Sequence, residues 1–213
     1  MLRKLIIAGL AGASMLAASQ AFAQERGGVV NVATIGELTT LDPMTATGDL
    51  LGMVTQHFFE TLYTFDKNWG VTPLLAEGLP EVSADGKVHT IKLRQGITFH
   101  DGSAMTSEDV VASLKRWLEV ASRGKLVAAN LDKLEAVDDY TVRITLKQPF
   151  APLTALLAFN NSAAVVLPSA KIAETLSEYV GTGPYMIKER KPDQYLQLVR
   201  FDGYKSREGE PDG

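Results

Sequence analysis

Between residues 140 and 147 the chain alternates cleanly, with Tyr140, Val142, Ile144 and Leu146 on one side and Thr141, Arg143, Thr145 and Lys147 on the other. A period of two predicts a strand with one buried and one wet face, and the segment 131–137, joined to it by Asp138-Asp139, is read as a second strand. Upstream, Asp85-Gly86 marks a turn into 87–99, where His89, Ile91 and Leu93 share a face before a second turn at Gln95-Gly96. The period changes after Thr106-Ser107-Glu108-Asp109, a capping-box-like start, to helical spacing at Val110, Val111, Leu114, Trp117 and Leu118. Helical spacing also links Leu50, Val54, Phe58 and Leu62, with Asp49 placed to cap that helix. A last hairpin is predicted over 185–190 and 194–201, turning at Lys191-Pro192-Asp193. The β-branched run 29–35 lacks polar alternation and reads as a strand buried on both faces. Residues 151–159 read as a short helix and 163–167 as strand-like; no internal repeat or low-complexity segment is present.

The first 23 residues obey none of these patterns. Arg3 and Lys4 precede an apolar run over 5–18, and Ala21-Phe22-Ala23 precedes Gln24, the layout of a secretory signal peptide cut after Ala23. The run is short for a membrane span and broken by glycine and serine. Domain organisation is therefore read as a signal peptide, 1–23, and a mature chain, 24–213. Removing 1–23 takes away two basic and no acidic residues, so a formal net charge of −4 becomes more negative still. An acidic chain without a basic cluster does not suit nucleic acid or an anionic membrane. The chain has no cysteine, which excludes disulfides, zinc–thiolate sites and attachment through a lipidated N-terminal cysteine.

Several residue types invite a catalytic reading. His100 beside Asp101, with Ser103 beyond, holds the members of a hydrolase triad. Triad groups must converge with an oxyanion site, which neighbours in one turn do not achieve, so these residues are read as a turn ending a strand and no catalytic residue is assigned. His57 and His89 lie on separate elements with no paired spacing, so no metal site and no cofactor is expected. Gly181-Thr182-Gly183-Pro184 lacks the lysine and following helix of a phosphate loop and reads as a tight turn. Trp69, Trp117 and the tyrosines suit either a core or a cleft wall.

Six motifs in order carry a resemblance: Thr40-Leu41-Asp42-Pro43; Phe59-Glu60-Thr61-Leu62-Tyr63; Pro73-Leu74-Leu75-Ala76-Glu77; Leu93-Arg94-Gln95-Gly96-Ile97-Thr98-Phe99-His100-Asp101-Gly102; Thr106-Ser107-Glu108-Asp109-Val110; and Gly181-Thr182-Gly183-Pro184-Tyr185. Their sequence resembles the bacterial extracellular solute-binding proteins of family 5. The resemblance implies an α/β fold, the first lobe of a two-lobed periplasmic binding protein of type II-like form with an extra mixed α/β subdomain. The second lobe would lie beyond residue 213. It implies a soluble periplasmic receptor, not lipid-anchored and monomeric, that hands a small ligand, a peptide first among the classes considered, to the permease subunits of an ABC importer. A secreted hydrolase and a sensor or interaction module on the same fold are the rival readings.

In peptide-binding relatives the loop after the Asp-Pro motif runs along the ligand backbone, which carried onto this sequence implies Thr47, Gly48 and Asp49 as ligand-binding residues. The other reading of the same residues is a helix start capped by Asp49. Asn160 and Asn161, set between apolar segments, are candidate ligand-binding amides, or an ordinary polar turn. The segment 123–130 stands where relatives send a loop toward the ligand, here without an aromatic residue. The charges that hold peptide ends are expected from the second lobe.

Overall fold

The capping signal at 106–109 and the strand alternation at 140–147 both mark real elements in the computed structural model, which describes residues 27–207. In chain order the elements are α1 (Asp49–Thr55), β1 (Tyr63–Phe65), β2 (Val71–Pro73), β3 (Glu81–Val82), β4 (Val88–Lys92), α2 (Ser107–Val120), α3 (Ser122–Ala128), β5 (Leu131–Asp138), β6 (Thr141–Leu146), α4 (Leu153–Leu156), β7 (Tyr185–Lys191) and β8 (Tyr195–Arg200). At the start of α2 the Asp109 carboxylate accepts the Thr106 N–H at 2.9 Å and its hydroxyl at 3.0 Å, closing the acidic half of a capping box. Its other oxygen accepts the Ser169 N–H at 2.8 Å, so one side chain caps the helix and ties down a 3-10 turn at Ser169–Lys171.

Four strands form an antiparallel sheet in the order β3-β4-β6-β5. Ile91 pairs with Val142 and His89 with Ile144, so the faces predicted as buried meet as cross-strand neighbours. The apolar stripe of α2, with Val110, Leu114 and Trp117 fully buried, belongs to the same core as Ile91, Val142, Ile144 and Leu146. Each such side chain contributes about 1.5–3 kcal/mol by leaving water. Two smaller antiparallel pairs, β1-β2 and β7-β8, complete the mixed α/β unit that begins at Gly36.

Four expectations are corrected. Residues 29–35 form no strand: Val29, Val30, Val32 and Ile35 are exposed, and among the described residues the segment joins no ladder, without which a strand buried on both faces cannot form. The cap of α1 is Gly48, in extended conformation, and Asp49 is the first helical residue, making no capping bond. The same helix stops at Thr55, well short of Leu62. The His57 and Phe58 carbonyls instead accept the N–H groups of Tyr185 and Gly183, at 2.9 and 3.2 Å. Phe58 and Leu62 are still fully buried, but in a turn and a bend. This approach requires glycine, since a Cβ at Gly181 would lie 2.0 Å from the Phe58 carbonyl oxygen. Residues 163–167 are buried and bridge to Thr61 at Val165 without forming a strand.

Tyr63 is wholly buried and its hydroxyl has no hydrogen-bond partner among the described residues; burial pushes its pKa up. Tyr63→Phe removes that unsatisfied group while keeping the ring, so thermal unfolding should show unchanged or higher stability, by up to about 1 kcal/mol. A clear loss would reveal a partner for the hydroxyl.

Candidate functional site

The loop that follows the Asp-Pro motif is held from beneath by an ion pair. Arg116, on the buried side of α2, reaches Asp42 at 2.5 Å, and the two side chains are only 5% and 7% exposed. A second contact of 3.3 Å makes the pair bidentate, and Arg116 also donates to the carbonyls of Ala173 and Glu174 at 2.8 and 3.0 Å. Asp42 in turn accepts the Met44 N–H at 3.0 Å, which fixes the turn leading to 46–49. A basic residue next to Lys115 on a helix ordinarily reads as solvated. Only its position between Leu114 and Trp117 signalled burial.

Two loops meet above this anchor. The N–H groups of Ser162 and Ala163 donate to the Ala46 and Pro43 carbonyls, both at 3.0 Å. The Asn161 amide nitrogen donates to the Thr47 carbonyl at 3.3 Å and to Asp49 Oδ1 at 3.1 Å. Asn160 lies further along, its amide 3.5 Å from the Gln56 side chain, and its carbonyl sits so close to α1 that a Cβ on Gly52 would come within 2.8 Å. All five residues proposed from sequence therefore cluster on one surface, with Thr47, Gly48, Asp49 and Asn160 exposed and Asn161 half-buried. Gly48 has an ordinary φ of −67° and open space where a side chain would be, so it leaves backbone accessible without the chain's own geometry requiring glycine.

The second loop is rigidly braced. Ser162 adopts a left-handed φ of 48°, and its carbonyl accepts the Trp117 indole N–H at 2.8 Å. Its hydroxyl contacts that of Ser122 at 3.0 Å and accepts the Arg123 N–H at 3.2 Å. The Arg123 side chain donates to the Asn161 carbonyl at 3.2 Å and to Asn161 Oδ1 at 2.6 Å, while its guanidinium lies 4.1 Å above the Phe159 ring. The segment 123–130 is mostly helical, as α3, and it is Arg123 that reaches the neighbourhood of the two loops. Trp117, which suited core or cleft wall on sequence, is core; Trp69 is exposed.

Behind Asn160 a cavity of about 220 Å³ opens, lined among others by Gln56, Phe59, Glu60, Tyr204 and Arg207. Glu60 is buried there, and burial pushes its carboxyl up to about 7 despite the Tyr204 hydroxyl donating at 3.1 Å and the nearby Arg94 and Arg207. Glu60 faces Tyr204 across this contact, and burial raises the phenol to about 12.

His100 makes no triad. Its Nε2 lies 2.9 Å from the Gly183 carbonyl and its Nδ1 accepts the Gly181 N–H at 3.3 Å, which staples the 181–183 turn. Burial lowers its pKa, favouring the neutral ring these two bonds use. Asp101 instead accepts from Ser103, by hydroxyl at 2.6 Å. Among the described residues no group of three or more His, Cys, Asp or Glu could hold a metal ion, and no helix is long and apolar enough to cross a membrane.

Known proteins match the same stretch of chain. The family model described as bacterial extracellular solute-binding proteins, family 5 Middle, matches residues 70–212. The glutathione-binding protein GsiB of Escherichia coli K12 is 38% identical over 205 residues, 94% of this chain and 39% of its own length. Among solved structures, the binding protein AgaA of A. tumefaciens R10, in complex with agropinic acid, superposes with a TM-score of 0.74 at 34% identity, over 83% of this chain and 36% of AgaA. DppA from Helicobacter pylori, in complex with the peptide STSA, gives 0.70 at 26% identity, over 80% and 38%. The chain thus spans 39% of the length of the GsiB relative it matches.

Proposed function

Because this chain belongs to the bacterial extracellular solute-binding proteins of family 5, we propose that it supplies the first lobe of a periplasmic receptor, which captures a small ligand and delivers it to the permease of an ABC importer. Residues 1–23, outside the described residues, act as the signal peptide, and the mature monomer begins at Gln24. Thr47, Gly48, Asp49, Asn160 and Asn161 form this lobe's share of the ligand surface. A peptide is the leading ligand class, in keeping with relatives named for glutathione and crystallised with a peptide; the opine acid of AgaA marks an alternative. The reaction at the site is binding and release. His100 is committed to the 181–183 turn.

The observation that carries this reading is the convergence of 46–49 and 160–162 through Asn161, two loops far apart in sequence joined into one accessible polar surface. Such a surface binds weakly while open to water and strongly once a closing lobe excludes it. Calorimetry on the exported full chain with glutathione, STSA and agropinic acid, with mass spectrometry of bound material, is expected to find at least one of them bound and recovered unchanged. The same spectra should give a mature mass beginning at Gln24. Failure of all three, or recovery of a cleaved product, would refute the receptor reading.

A further inference from the structure

We propose that Trp69, with Phe65 behind it, is an aromatic subsite at the rim of the ligand surface that takes a planar ring carried by the ligand. This rests on the receptor reading above and names the side-chain class that this lobe selects.

The loop between β1 and β2 is short and tightly closed. The Asp66 N–H donates to the Gly70 carbonyl at 2.8 Å, and the Trp69 N–H closes a turn on the Asp66 carbonyl at 3.0 Å. Asp66 Oδ1 accepts the N–H groups of Asn68 and Gly70, both at 2.8 Å. Between Asp66 and Gly70 the loop is 67–69, and in a hairpin of that length the third loop residue turns left-handed, a place glycine takes without steric cost. Here the third residue is Trp69, at φ 63°, and the glycine stands one position later. A bulky residue in that conformation carries backbone strain. Burial does not offset it, because Trp69 is 80% exposed.

The strained residue ends a row of rings that begins in the ligand surface. Trp69 lies 5.9 Å from the Phe65 ring, Phe65 meets Phe159 edge-on at 5.0 Å, and the Arg123 guanidinium lies 4.1 Å above Phe159. Phe159 directly precedes Asn160, and the same Arg123 side chain holds Asn161. Phe65 and Phe159 are half-buried, each in contact with a neighbour on two sides. The outermost ring has Phe65 as its one ring neighbour among the described residues and otherwise faces water. The loop thus holds an indole in the open, backed by aromatic packing and continuous with the surface formed by 46–49 and 160–162.

A planar group stacked on this indole loses water from both faces of the contact and gains from the ring quadrupoles. An aliphatic ring of equal size gains the burial without the stacking. The row spans no more than roughly four extended residues at about 3.5 Å each. A tetrapeptide with one part over Asn161 therefore has the reach to set a side chain on Trp69.

The test uses the full chain and tetrapeptides made from STSA by placing Phe, Trp or cyclohexylalanine at each position in turn, with affinities from calorimetry. At one position at least, Phe and Trp should bind ~3-fold or more tightly than cyclohexylalanine. Binding should also shield from acrylamide the part of the tryptophan emission that Trp69→Phe removes. Trp69→Phe should keep the preference for aromatic rings, and Trp69→Asn, which tolerates the left-handed backbone, should erase it. Trp69→Gly should erase it as well, while the melting temperature stays level or rises by about 2–4 °C as the strain is released. A melting temperature lowered by Trp69→Gly, or equal weakening of Phe and cyclohexyl peptides by Trp69→Asn, would make the indole a cover for Phe65 and overturn the assignment. So would equal affinity for aromatic and cyclohexyl peptides at every position, or binding of glutathione or agropinic acid by a protein that takes none of the tetrapeptides. Those outcomes leave the receptor reading standing. If none of these molecules binds, both readings fail.

Discussion

Arg116→Ala should destabilise the protein by about 3–5 kcal/mol, because it leaves the Asp42 carboxylate buried without its counter-ion. The pair is bidentate, both side chains are buried, and Arg116 also satisfies the carbonyls of Ala173 and Glu174. Removing the cation therefore orphans one charge and two acceptors together. Asp42→Ala should cost a comparable amount, while Asp42→Ala combined with Arg116→Ala should cost clearly less than the sum, since no charge is then left unpaired. Denaturant unfolding of the four proteins closes the cycle, and hydrogen exchange should show faster opening over 42–49 in the single variants. A loss below about 1 kcal/mol for Arg116→Ala would mean that water replaces the guanidinium and that the loop is held by other contacts.

The second large effect is a pH dependence centred on Glu60. Its carboxyl rises from 4.5 to about 7 in the folded protein because burial outweighs the Tyr204 hydrogen bond and the Arg94 and Arg207 charges. Between those values the folded state binds more protons at this site than the unfolded chain, so stability falls as pH rises. The contribution is fully present below about 4.5, and roughly 3 kcal/mol of it is lost by the time pH passes 7. His89 and His100 act in the opposite sense: burial lowers both below 6.5, so their contribution is present above 6.5 and declines as pH falls. The difference between the wild-type and Glu60→Gln curves isolates the carboxyl. Glutamine keeps an acceptor for Tyr204, so its stability should exceed wild type at pH 8 and lose that advantage near pH 4.5. Parallel curves across that range would show that Glu60 stays hydrated and charged.

The helix and sheet were legible because their signals are local and agree with one another. Thr106 and Asp109 mark the start of α2, Val110, Leu114 and Trp117 its buried stripe, and the alternation from Tyr140 to Leu146 the inner face of β6; all pair as those patterns require. Local pattern failed where a distant segment competed for the same backbone. The spacing of Phe58 and Leu62 continues a helix, yet the 183–185 strand entry takes the carbonyls of His57 and Phe58, and the chain turns instead. The run 29–35 has the composition of a buried strand, but composition supplies no neighbour to pair with.

The sequence by itself determined the family and the residue types of the candidate surface, because both reside in short motifs and in the polarity of single positions. What only the tertiary structure decided is how those residues are used. Thr47 and Asp49 lie more than 110 positions from Asn161, to which they are hydrogen-bonded, and Arg123 reaches Asn161 from α3. Charge in a sequence carries no record of burial or of partner. Arg116 becomes a buried anchor and Arg123 a brace for Asn161 only because folding places one beneath the loops and the other beside them, and the energy of a charge is set by what surrounds it.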